Sequence, residues 1–176
     1  MSDSDAVCEE RMAPHELFGA MSPALSSEIF EYTHTSDKEI YRGAIDIVAQ
    51  VRKVRPIFLE RQPRTERYAT MRSVFSRAGS SLAADNLIRN WLLKKHKVVL
   101  TDFLDSLGIQ HDNGVVEKVP ETMDDAKLKQ AVDNLLAKHP PEVVALYLHA
   151  FNGMDDAKWS NLDEMLYTDP RLHLGS

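Results

Sequence analysis

The sequence predicts an all-α domain, a compact bundle of about seven or eight short to medium helices. Three observations lead there. Apolar residues recur at 3.6-residue spacing along most of the chain. Helix caps and breakers punctuate those stripes at intervals of 8 to 20 residues. The seven glycines leave few of the turns an all-β chain needs, and a composition of 43% hydrophobic and 27% charged residues suffices for one buried core.

The elements follow in order. Residues 1–13 are small, polar and acidic and read as a disordered tail, so the single domain is expected over 14–176. Ser22-Pro23 reads as an N-cap with proline at the first helical position, opening a short helix to about Thr33 that carries Leu25, Ile29 and Phe30. Ser36-Asp37-Lys38-Glu39 has the form of a capping box, with Ser36 as the cap. Behind it Ile40, Tyr41, Ala44, Ile45, Val48 and Val51 give the clearest amphipathic helix, which Pro56 ends. Ile57, Phe58 and Leu59 form a short apolar turn or helix, closed by Pro63.

Tyr68, Met71, Val74, Phe75 and Ala78 share one arc of the next helix, with Gly79 placed to stop it. Ser81 caps a stripe of Ala84, Leu87, Ile88, Trp91 and Leu92, which Lys94 to Lys97 interrupts. Val99 to Leu107 resumes it and ends in a Schellman stop at Gly108-Ile109; one bent helix and two separate ones fit equally. Residues 110–123 are the long loop, in which Val115-Val116 suits a short strand. Asp124 or Asp125 caps a helix bearing Leu128, Ala131, Val132, Leu135 and Leu136. Pro140-Pro141 starts a run apolar almost all round, from Val143 to Phe151, which reads as a buried helix with a core strand as the alternative, stopped by Gly153. A last helix from Asp156 buries Trp159, Leu162, Met165 and Leu166 before Pro170. Met-Asp-Asp-Ala-Lys occurs at 123–127 and again at 154–158, and convergent capping by first-turn acids explains it better than a repeat does.

Charge is the feature above background. The net charge is −6, which argues against a chain that coats nucleic acid all over. Residues 42–97, however, hold thirteen Lys and Arg against four acids, while the remainder is strongly acidic. Nine of the thirteen are arginine, the side chain suited to bidentate contact with carboxylate or phosphate. The belt of Arg52, Lys53, Arg55, Arg61, Arg64, Arg67, Arg72 and Arg77 is therefore the candidate partner-binding face. Its aromatics, Phe58, Tyr68 and Phe75, fall on the apolar side by periodicity, which leaves little for stacking on single strands. Arg52 and Arg55 also project towards the apolar side at their helix end and call for partners.

Other chemistry is thin. The chain has no nucleophile elbow, phosphate loop, dinucleotide fingerprint, CxxC or HExxH. His111-Asp112 resembles the paired His-Asp of helical metal-dependent phosphohydrolases, a resemblance that would draw His96 and Asp133 in as further ligands and imply a metal site. It covers two adjacent residues, follows the helix stop at Gly108, and His-Asp-Asn-Gly is ordinary turn chemistry. His149, on the most apolar helix, reads as a buried histidine held by one hydrogen bond. No cofactor is expected. Cys8 is single and lies in a polar stretch, the first twenty residues lack a signal-peptide core, and no stretch has the length of a membrane span, so the chain is expected to be cytoplasmic and off the membrane.

The leading expectation is a non-enzymatic interaction module whose Arg-rich face, residues 52–77, meets an acidic protein partner or a second copy. A nucleic-acid binder using the same belt is the first alternative. A metal-dependent phosphohydrolase built on His96, His111 and Asp112 is the second. The helices at 82–107 and 141–152 are also apolar enough to enclose a ligand cavity.

Overall fold

The computed structural model describes residues 11–153 and 157–175. Among them are ten α-helices and no strand: α1 (Pro14–Ala20), α2 (Pro23–Ser36), α3 (Lys38–Arg52), α4 (Pro56–Arg61), α5 (Arg64–Phe75), α6 (Ser81–Lys95), α7 (Lys97–Leu107), α8 (Asp125–Lys138), α9 (Pro141–Gly153) and α10 (Ser160–Thr168). Two 3-10 turns, Ala78–Ser80 and Pro170–Leu172, complete the fold. The all-α class holds, and the number of helices exceeds the seven or eight expected. The excess comes from α1, which the sequence pattern did not reveal, from the six-residue α4, and from a break at His96 that separates α6 from α7.

Local chemistry explains most boundaries. Ser22 caps α2, its Oγ accepting from Leu25 N at 3.1 Å, as its sequence predicts. The cap of α3 is Asp37 rather than Ser36, because α2 runs on through Ser36; Asp37 Oδ1 accepts from Ile40 N at 3.4 Å. Gly108 adopts φ +69° and Ile109 N reaches Leu104 O at 3.0 Å, the expected Schellman stop, with Ile109 buried. Gly79 does not stop α5. Ser76 takes that place, and Gly79 lies in the 3-10 turn before α6. The last helix starts at Ser160 with Trp159 as its N-cap; Asp156, Cys8 and the tail up to residue 10 lie outside the described residues. At the end of the expected tail, Arg11 is fixed by Asp163 at 2.7 Å.

The core is continuous and holds two aromatic groups. Phe18, Phe30, Tyr68 and Phe75 join α1, α2 and α5 with ring centroids 5.6 to 6.0 Å apart. Phe103, Tyr147, Phe151 and Trp159 join α7, α9 and the approach to α10. The helix α9 buries nine of its residues, as a helix apolar all round must. Asn152 locks its end: Oδ1 accepts from Trp159 N at 2.8 Å while Nδ2 donates to Asp163 Oδ1 at 2.6 Å. No described helix is long and apolar enough to cross a membrane.

Candidate partner-binding corner between α3 and α4

The structure divides the basic belt into three groups. Arg67 and Arg72 are part of the fold. Arg67 Nη1 donates to the Tyr41 hydroxyl at 3.1 Å. Arg72 Nη2 donates to Met21 O at 2.7 Å and to Gly19 O at 3.4 Å, so a cation satisfies carbonyls at the C-terminal end of α1. Arg64 is paired, its Nη1 lying 3.0 Å from Glu31 Oε1. The other oxygen of Glu31 accepts from the Tyr68 hydroxyl at 2.5 Å. Burial, and then that carboxylate, hold the Tyr68 hydroxyl well above its ordinary range.

The third group is free of acids. Arg52 reaches only Ser73 Oγ, at 3.3 Å. Lys53, Arg55, Arg61 and Arg77 make no side-chain hydrogen bond or ion pair among the described residues. Arg77 lies beyond the C-terminus of α5, one turn on from the Ser73 that Arg52 reaches, and outside the α3–α4 segment. Arg52, Lys53 and Arg55 fall within four residues where α3 ends, and Arg61 closes α4, the helix that follows. Lys53 makes that turn in the left-handed region at φ 57°.

This corner also carries what sequence periodicity did not place. Val51, Val54, Ile57 and Phe58 are 39%, 41%, 46% and 57% exposed, and Leu59 is the one buried residue of α4. Phe58 thus points out, contrary to the periodicity argument, whereas Tyr68 and Phe75 are buried as expected. The reason is length: six residues between Pro56 and Pro63 give less than two turns, enough to bury one side chain against α3. A signal was present in the sequence, since two prolines seven residues apart enclose more apolar side chains than so short a helix can bury.

The histidines have structural posts. His111 Nδ1 accepts from Gly114 N at 3.0 Å and Nε2 donates to Asp105 Oδ1 at 2.7 Å, so both ring nitrogens are spent. They hold a tight hairpin in which Asp112 and Val115 exchange both backbone bonds, with Asn113 and Gly114 at positive φ; Val115-Val116 forms no strand beyond that bridge. His96 sits at the α6–α7 break, stacked edge-on against Trp91 at 4.4 Å, and burial lowers its pKa. Asp133 pairs with Arg171. Among the described residues no three His, Cys, Asp or Glu side chains gather as a metal ion would need, so His96, His111, Asp112 and Asp133 are not brought together as ligands. His149 Nε2 lies 3.2 Å from Leu172 O, the single bond expected, and burial lowers its pKa too.

A partly open, mainly apolar pocket of about 210 Å³ lies under the hairpin between Leu92, Leu100, Leu104, Tyr147 and Phe151, with Arg89 in its lining. It falls below the several hundred Å³ that ordinary small-molecule sites occupy. No family model, no curated protein and no solved structure matches the chain.

Proposed function

We propose that this chain is a non-enzymatic interaction module that grips an acidic protein partner through the α3–α4 corner. The observation that carries this reading is the coincidence of Arg52, Lys53, Arg55 and Arg61, none facing a carboxylate among the described residues, with four exposed apolar side chains in the same stretch. Exposed apolar groups of this kind are normal singly; four within eight residues that also carry three unpaired cations have the composition of a binding patch with an apolar centre and a charged rim. Glu60 is the one acid of the stretch, and it pairs with none of these cations. The free cations supply steering and register, and the apolar residues supply the area removed from water.

The test is quantitative capture from a lysate of the source cells with the full chain, compared with the triple variant Arg52→Glu/Arg55→Glu/Arg61→Glu and with a control reversing Lys127 and Lys129 on α8. Proteins held by the wild type and the control, lost by the corner variant and released between 0.1 and 0.5 M salt support the reading. Identical captures by all three refute it.

Phe58 favours one second reading, binding of single-stranded nucleic acid, because it offers a face on which a base stacks beside cations. Arg64, Arg67 and Arg72 are engaged within the fold, so this reading too falls to Arg55 and Arg61. Fluorescence anisotropy with labelled 20-nucleotide DNA and RNA at low salt tests it. Binding that falls steeply with salt and is lost in Phe58→Ala would move the corner to nucleic acid; no binding removes that reading.

A further inference from the structure

A shallow groove of about 430 Å³ runs between α3 and α6, lined by Ile40, Gly43 and Ile47 on one side and Ala83, Leu87 and Asn90 on the other. Both helices rest on α2. Small residues keep the floor low: a Cβ placed on Gly43 would meet nothing within 4 Å. Ile40, Ile47 and Ala83 are only partly covered by the core. Asn90, beside Asp37, keeps a buried Nδ2 with no partner in hydrogen-bond geometry. This space is shallower and more open than the pocket under the hairpin, and Asn90 at its edge lies beside the Asp37 carboxylate.

The lining of the groove ends at Ile47, and the apolar face of α3 continues beyond it. Along α3 the positions 40, 44, 47 and 51 fall on one face by helical spacing, so the stripe leads from Ile40 to the exposed Val51 and then into the cationic corner. Eleven residues at 1.5 Å each make it about 16 Å long, three turns of a helix. Two helices with a small-residue floor between them are the shape into which a third helix packs, its side chains seated in the gap.

We infer that the groove between α3 and α6 takes an amphipathic helix of a protein partner, three to four turns long, with apolar residues at i, i+3/i+4 and i+7 and with carboxylates at the end that reaches Arg52, Lys53 and Arg55. This rests on the reading of the corner given above and deepens it by naming the form of the partner. Charge complementarity selects the occupant. The corner's cations face no acid of the described chain, so a partner bearing acids there gains pairs that a neutral or basic helix lacks.

The test is a displayed library of random 16-residue peptides, selected on the full chain and on three variants. Gly43→Trp fills the groove from a position where added atoms meet no neighbour, and Asn86→Trp fills it from the exposed rim should the first variant fold poorly. Arg52→Glu/Arg55→Glu/Arg61→Glu reverses the corner alone. The expected result is enrichment of peptides with a helical apolar stripe and a cluster of acids at one end, binding at least tenfold weaker to the groove-filling variant and to the reversed one. No enrichment, or enriched peptides without that pattern, overturns the inference. Enriched peptides weakened by charge reversal but indifferent to both tryptophans overturn the groove while leaving the corner standing; peptides weakened only by the tryptophans do the opposite.

Discussion

Arg72→Met separates a cation that builds the fold from cations that decorate it. Methionine keeps an alkyl stem of similar reach, so packing along α5 is largely preserved while the guanidinium is removed. Two carbonyls lose a donor, Met21 O at 2.7 Å and Gly19 O at 3.4 Å, and Met21 is itself fully buried. A hydrogen bond to a charged group contributes about 1.5–3 kcal/mol, and only the shorter of these two has full strength. Against that, Arg72 Nε is buried without a partner, and removing it returns about 1 kcal/mol. The net expectation is a loss of about 0.5–2 kcal/mol, a fall in Tm of about 1–8 °C for a chain of this size. Arg55→Met and Arg61→Met, whose side chains make no bond, should stay within about 0.5 kcal/mol of the wild type. Urea unfolding followed by circular dichroism, with unchanged slope, gives the numbers. Equal losses for Arg72→Met and Arg55→Met would refute the division of the belt.

Two further predictions concern glycine and histidine. Gly114 sits at φ +90° with Leu100 Cβ only 3.1 Å from where its own Cβ would stand, so Gly114→Ala should cost about 1–3 kcal/mol. Gly43→Ala, in mid-helix with open space around it, should instead stabilise by about 0.5–1 kcal/mol; thermal melts of the pair showing the same sign would contradict the geometry. Burial disfavours the protonated form of His149, and Asp163 and His173 are the titratable groups near it, so the unfolded chain takes up the proton first. Its contribution is therefore complete above about pH 6.5 and is lost as the pH falls towards the depressed folded value, by at most about 1.4 kcal/mol per pH unit. His149→Gln should flatten the fall in stability between pH 7 and 5, and an unchanged slope would exclude His149 as its source.

The fold was legible where stripes were long. In α3, α7 and α8 ten or more residues repeat one period, and tertiary packing had only to agree with them. Short elements were less so. The seven residues of α1 bury Leu17 and Phe18, too few for a period, and it is the stack of Phe18 on Phe30 that holds them. The cap of α3 moved from Ser36 to Asp37 because neighbouring residues of equal capping ability are told apart only by where the preceding helix ends. At the site, the excess of arginine was visible but its allocation was not. Nothing near Arg72 in the chain indicates that its partners are carbonyls fifty residues away, and nothing near Arg55 indicates that it has none.

Whether the corner's arginines stand unneutralised on the folded surface is open to direct chemical test. Brief treatment of the native chain with phenylglyoxal, followed by peptide mass spectrometry, ranks each arginine by its rate of modification. Arg55 and Arg61 should react first and Arg67 and Arg72 at least tenfold more slowly. Arg55 and Arg61 protected to the level of Arg72 would mean that the positive corner is already covered within the chain, and the proposed partner site would go with it.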